Sequence, residues 1–130
     1  MTHDLWALLA VLGLGIVHLG LSSVLSLVQL GPGYILSARD VAREPTGVPG
    51  RVARSYRNLL ESLPQFVGAL LLVHASGSAG ELAGIGAWMF FFGRLIYVPA
   101  YAFAGPGVRP VCWMVAQIGV IVIVVDLFIT

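Results

Sequence analysis

Apolar residues run along this chain in four long stretches, at about Leu5 to Leu30, Val52 to His74, Leu82 to Phe103 and Val111 to Phe128. Each is near the ~20 residues that a helix needs to cross a bilayer. The separators are rich in helix breakers. Gly31-Pro32-Gly33 stops the first stretch, Pro45, Gly47, Pro49 and Gly50 interrupt the long loop, Ala75 to Gly80 forms a Ser/Gly turn, and Gly105-Pro106-Gly107 forms another. The pattern predicts an all-α membrane protein, a four-transmembrane-helix bundle forming a single domain over residues 1–130. The first stretch lacks a basic start and is too long for a signal peptide, so it reads as a retained helix.

Two of these stretches are interrupted by polar residues in a regular way. In the second, Arg51, Arg54, Asn58, Glu61 and Gln65 follow steps of three, four, three and four, which puts them on one helix face. In the third, Arg94, Tyr97 and Tyr101 share a face at i, i+3 and i+7. A charge at mid-bilayer costs roughly 2.5–3.5 kcal/mol on insertion scales, so such rows must face a protein interior or a wet cavity. Together they offer guanidinium groups for carboxylates, an amide and a carboxylate for an ammonium or amide, and two phenols. That donor set suits a small, zwitterionic, acid-rich ligand. The plainer alternative is that Glu61 pairs with Arg94 or Arg57 and locks the helices together. Against it stands stoichiometry: Arg51, Arg54, Arg57 and Arg94 outnumber Glu61, and surplus positive charge invites an anion.

Composition agrees with membrane residence: 58% of residues are hydrophobic, 10% are charged and mean hydropathy is +0.95. Net charge is only +1 and lysine is absent, so there is no basic patch for a nucleic acid. The single cysteine, Cys112, allows no internal disulfide and reads as a small buried hydrophobe. Arg39, Arg43, Arg51 and Arg109 fall in or beside the first and third loops, whereas the second offers Glu81 and the N-terminus Asp4. The positive-inside rule then puts both termini outside and the long first loop in the cytoplasm, across the inner membrane if the cell is bacterial. Trp6, Trp88, Trp113 and Tyr34 read as interfacial anchors, and Gly80 and Gly84 as a small-residue spacing for close helix approach. His3, His18 and His74 have no ligand-like spacing, so no metal site is expected. His3 and His74, at membrane ends, read as interfacial or solvated. Ser22, Ser23 and Ser26 read as packing residues, Asp126 as a carboxylate reaching water, and Pro64 and Pro99 as kink sites.

The run Arg54-x-x-Arg57-Asn58-x-x-Glu61, followed by Pro64 and Phe66, resembles the signature of the membrane-associated proteins in eicosanoid and glutathione metabolism (MAPEG). The similarity is to a bacterial-type member close to the microsomal glutathione transferase and prostaglandin E synthase branch. Gly93-Arg94-x-x-Tyr97-x-x-x-Tyr101 resembles the family's third-helix motif, and Arg109 stands where the family carries a thiolate-stabilising arginine. Length, helix order and motif order agree over essentially the whole chain.

The resemblance implies a homotrimer in membrane lipid with glutathione, as co-substrate, bound between adjacent subunits near the cytosolic face. Arg54, Asn58, Glu61, Arg94, Tyr97 and Tyr101 would hold its carboxylates, amino group and peptide, with Arg51 at the rim and Arg39 reaching in from a neighbour. Arg109 would face the sulfur as the catalytic residue. A thiol of pKa ~8.5 is only slightly ionised at neutral pH, and lowering that value by about two units takes roughly 2.7 kcal/mol, within reach of a close, partly desolvated cation. The expected function is that of a transferase or peroxidase acting on a lipophilic small-molecule substrate. Two departures bear on catalysis. Pro110 follows Arg109 where prostaglandin-forming members have a serine, which argues against that isomerase activity, and Ser62 replaces an aromatic. A non-catalytic membrane scaffold or accessory subunit with this fold is the rival reading, and a small transporter a weaker one, because the last stretch has no charge at mid-membrane.

Overall fold

A computed structural model describes residues 1–129. Within them the chain forms α1 (His3–Leu30), the one-turn α2 (Pro32–Ile35), α3 (Gly47–Ala75), α4 (Glu81–Phe103) and α5 (Val108–Ile129). Four long helices therefore stand where the four apolar stretches lie. The three helices α1, α4 and α5 are long and apolar enough to cross a membrane, which makes this an integral membrane protein. The expectation of four such spans is met only in part: α3 has 29 residues but carries Arg51, Arg54, Arg57 and Glu61 in its first half.

Contacts at the helix ends define the arrangement. Near one end, Asp4 of α1 meets His74 of α3 in an ion pair. At the other, the side-chain amide of Gln29 donates to the Thr46 carbonyl at 3.0 Å and its oxygen accepts from the Thr46 N–H at 2.7 Å. α3 thus runs antiparallel to α1 along its length. α4 and α5 are likewise antiparallel, for the Asp126 carboxylate of α5 accepts from the N–H groups of Gly80 and Ala83, at 2.7 and 3.0 Å, at the start of α4.

These end contacts correct two expectations. Asp126 is 2% exposed and reaches no water; it satisfies amides at the α4 N-terminus that have no partner within their own helix, where a negative charge also complements the helix dipole. His74 is not simply solvated, since it holds the buried Asp4. The helix bounds differ too. α3 begins five residues before Val52 because Pro49 falls in its first turn, where a proline's missing N–H costs nothing, so Gly47 to Gly50 are helix rather than loop.

The outward surface of α1 is apolar and several of its inward groups are polar. On α1, Ile16, Val17 and Val28 are 73%, 68% and 78% exposed, whereas the buried residues are Asp4, Ala7, Val11, His18 and Ser22. A water-soluble helix has the reverse pattern. His18 braces α1 against α3: its Nε2 lies 2.7 Å from Ser55 Oγ and 3.2 Å from the Val52 carbonyl.

The tightest contact is between α4 and α5, and glycine permits it. A Cβ on Gly86 would lie 2.3 Å from the Gly119 carbonyl oxygen, one on Gly119 would lie 2.4 Å from that of Gly86, and one on Gly93 would lie 2.8 Å from that of Cys112. This seam, rather than Gly80, is the main small-residue contact; Gly84 does pack closely, since a Cβ added there would lie 3.2 Å from the His3 Cβ. Beneath it, Phe66 of α3 stacks on Phe90 of α4 with centroids 4.2 Å apart. Gly86→Ala and Gly119→Ala are each expected to destabilise the protein by about 1–3 kcal/mol, the scale of overpacking. Gly13→Ala, where a methyl meets nothing within 4 Å, leaves thermal unfolding in detergent unchanged; equal melting of all three variants would contradict the seam.

Candidate functional site

The polar rows of α3 and α4 meet at the end where α3 starts and α4 finishes. Arg51 Nη1 donates to the Ala102 carbonyl at 3.0 Å, satisfying one of the carbonyls a helix leaves open at its C-terminus. One turn on, Arg54 Nε donates to the Tyr101 hydroxyl at 3.0 Å. The start of α5 brings in a third guanidinium, with Arg109 Cζ 4.9 Å from the Tyr101 ring centroid and Arg54 Cζ 5.8 Å from it, both within cation–π range. Arg51, Arg54, Tyr101 and Arg109 line a cavity of about 210 Å³ closed by the Gly105-Pro106 turn.

Behind this cavity lies a buried pair. Arg94 is 2% exposed and Tyr97 is 4% exposed; the guanidinium Cζ sits 4.8 Å from the Tyr97 ring, and Nη2 donates to Asn58 Oδ1 at 2.8 Å. Its Nε and Nη1 have no protein partner. Tyr97 and Tyr101 touch with centroids 5.7 Å apart, which connects the buried pair to the open cavity.

Asn58 faces a second cavity, of about 370 Å³, lined also by Glu61, Ser62, Gln65, Trp113 and Gln117. From the sequence Trp113 reads only as an interfacial anchor, and Gln117 draws no notice. The signal for both is the spacing Arg109, Trp113, Gln117, at steps of four on one face of α5, together with the rarity of an amide in so apolar a stretch.

The structure thus brings eight of the nine expected residues to one side of the chain. Arg51, Arg54, Tyr101 and Arg109 share one cavity, Asn58 and Glu61 the next, and Arg94 and Tyr97 lie buried between helices. Arg39 stands apart: in a left-handed backbone conformation (φ 56°) it turns back to the Ile35 carbonyl at 3.0 and 3.2 Å. It therefore joins no cavity with the other eight within one chain.

The locking role considered for Glu61 is not realised. Among the described residues the only acid–base contact at ion-pair distance is His74–Asp4, so Glu61 pairs with neither Arg94 nor Arg57. Arg54, Arg57, Glu61 and Gln65 are instead exposed within the single chain. Ser62, which stands in place of an aromatic, donates to its own helix at the Asn58 and Leu59 carbonyls, at 3.3 and 3.1 Å. Pro110 sits in the first turn of α5, where it breaks no helix hydrogen bond. No group of three or more His, Cys, Asp or Glu side chains among the described residues is placed to hold a metal ion.

Long apolar helices beside a row of guanidinium, amide and phenol groups define an integral membrane protein with a polar cluster at one end of its helices. The chain belongs to the MAPEG family, whose model matches residues 5–129. No curated protein and no solved structure gives a significant match to it.

Asn58 is the only side chain accepting a hydrogen bond from buried Arg94 among the described residues. Asn58→Leu is expected to destabilise the fold by about 3–5 kcal/mol, as when a buried charge loses its partner. Adding Arg94→Met should recover most of that loss, because replacing both partners by apolar groups is close to neutral. Chemical or thermal unfolding of the two variants checks this, and a double variant no more stable than the single one would refute it.

Proposed function

We propose that this protein is a glutathione-dependent membrane transferase or peroxidase that stabilises a thiolate for attack on lipophilic electrophiles. The observation that carries the reading is the clustering of Arg51, Arg54 and Arg109 around Tyr101 with no acidic side chain lining that cavity. Three cations without a protein counter-charge favour an anion of two carboxylates and an ionisable sulfur.

The fit of glutathione to the remaining donors supports this. Asn58, Glu61 and Gln65 offer hydrogen-bonding groups about one, two and three turns beyond Arg54 along α3, with the Glu61 carboxylate matching an ammonium. The unpartnered Nε and Nη1 of Arg94 leave donor capacity that the protein itself does not use. Glutathione supplies the nucleophilic sulfur. The chain's part is to hold its carboxylates at Arg51 and Arg54 and to set the Arg109 guanidinium, fixed over the Tyr101 ring, where it favours the thiolate. In conjugation the sulfur lone pair forms the new bond to carbon, and the displaced electron pair leaves with the leaving group or takes a proton from water. A neighbouring subunit that covered this cavity would exclude water and make the cation more effective there than at an exposed surface.

Exposure of Arg54, Arg57, Glu61 and Gln65 supports assembly as well. α3 runs antiparallel to α1 over its length, so it crosses as much membrane as α1 does and completes a four-span bundle. A face with those charges cannot face lipid. A homotrimer in which a neighbour covers this face resolves the conflict, and Arg39 would then enter the site from the adjacent subunit. In this reading the termini lie outside and the arginine end is cytoplasmic. The scaffold reading would use the same charges between subunits, since within one chain none of them is paired with another.

Millimolar glutathione should raise the melting temperature of the detergent-purified protein, because a ligand that binds only the folded state stabilises it. Arg54→Ala should abolish the shift. Arg109→Ala should keep the shift within a few-fold in affinity while conjugation of a chromogenic electrophile falls at least tenfold. No shift for the wild-type protein would sink the glutathione reading, and full activity in Arg109→Ala would remove that residue from the chemistry.

A further inference from the structure

A wide cavity lies at the end opposite the arginine cluster. It measures about 900 Å³, toward the top of the roughly 300–1,000 Å³ usual for small-molecule sites. It opens between the first residues of α1 and the outward side of α4. Its α4 wall is built on the stripe Glu81, Ile85, Trp88 and Phe92, at steps of four, three and four, flanked by Gly84 and Met89. At 1.5 Å per residue that stripe runs about 16 Å, from a carboxylate at the helix start to aromatic rings two to three turns deeper. The indole is held in place, edge-on to Phe91 at 5.7 Å and stacked near Phe92 at 5.8 Å.

Charge selects what such a cavity takes. None of the seven arginines lines it. The nearby acids are already engaged in part: Asp4 is buried against His74, and Asp126 receives the amides of Gly80 and Ala83, which neutralises the positive end of α4 that would otherwise attract an anion. Glu81 is exposed and makes no hydrogen bond or ion pair among the described residues. The polar mouth therefore presents one uncommitted negative charge above an apolar, aromatic wall.

We propose that this cavity binds a cationic amphiphile drawn from the bilayer, its ammonium head at Glu81 and its apolar tail along Ile85, Trp88 and Phe92. The site is separate from the arginine cavities and does not depend on the glutathione reading. An anionic head meets repulsion from Glu81, and the tail needs only the dispersion and burial that the α4 stripe offers.

The test uses the full chain in nanodiscs of neutral lipid, in a Trp6→Phe/Trp113→Phe background that leaves Trp88 as the only indole. Dodecyltrimethylammonium should change its fluorescence saturably. Dodecyl sulfate should bind at least tenfold more weakly, and Glu81→Gln, an exposed substitution that should not alter unfolding, should weaken dodecyltrimethylammonium by a similar factor. Arg54→Ala should have no effect. An alkylammonium carrying a photoreactive diazirine should label the peptide containing Ile85 to Phe92. Equal binding of the two amphiphiles, no effect of Glu81→Gln, or chain-to-chain crosslinks at Trp88 showing that a second copy covers the cavity would each overturn the proposal.

Discussion

A guanidinium with almost no access to solvent sits between α3 and α4, and much of the surrounding structure makes that position tolerable. Desolvating a cation costs several kcal/mol even after relaxation. Arg94 recovers part of this through Asn58 Oδ1 at 2.8 Å and through the face of Tyr97 at 4.8 Å. Those two contacts fix the register of α3 against α4: Asn58 must stand level with Arg94, which in turn sets Arg54 level with Tyr101 and Arg51 with the last carbonyls of α4. The same rule governs α1, where His18 and Ser22 are buried and His18 meets α3 while Ile16 and Val28 face out. In an apolar medium, polar contacts rather than hydrophobic ones give neighbouring helices their specificity.

The two ends of the molecule are held differently. At the acidic end, the Asp4–His74 pair joins α1 to α3 and Asp126 joins α5 to α4, so each long helix is tied by a charged group with little or no exposure. At the arginine end, exposed or half-exposed guanidiniums reach one carbonyl, one phenol and the face of a ring. Local stability is lower where backbone and side-chain contacts are solvated. The end that carries the arginine cluster is thus the one with more solvated ties, while the opposite end is held by buried ones.

Much of this is legible in the sequence because the relevant signals are periodic. The α3 row from Arg51 to Gln65 and the α4 row from Arg94 to Tyr101 depend only on helical spacing, and both lie on the faces that spacing assigns. What is not legible depends on partners distant in sequence. Asp126 reads as a carboxylate near a membrane surface until α4 is seen to begin beneath it, 43 to 46 positions away in the chain. His18 has no motif around it, and its role comes from Ser55 and Val52 of another helix. The Gly86–Gly119 contact leaves no pattern of its own, since several of the sixteen glycines meet nothing at all. Gln117 is visible as an isolated amide, but only its position opposite Glu61 and Gln65 gives it meaning. The start of α3 falls earlier than the apolar pattern suggests because Pro49 and Gly50 break helices in general and are harmless in a first turn.

Backbone contact between α4 and α5 has a mechanical consequence. With carbonyl oxygens where side chains would otherwise be, at Gly86, Gly119 and Gly93, there is no layer of rotatable groups to absorb sliding between the two helices. They behave as one slab. Arg94, Tyr97 and Tyr101 on one half of that slab and Arg109, Trp113 and Gln117 on the other keep fixed mutual distances, so the chemistry-bearing groups they carry cannot drift apart as the membrane thickens or thins. Breathing that widens the arginine cavity would then fall to α3, moving against this slab across the Phe66–Phe90 stack.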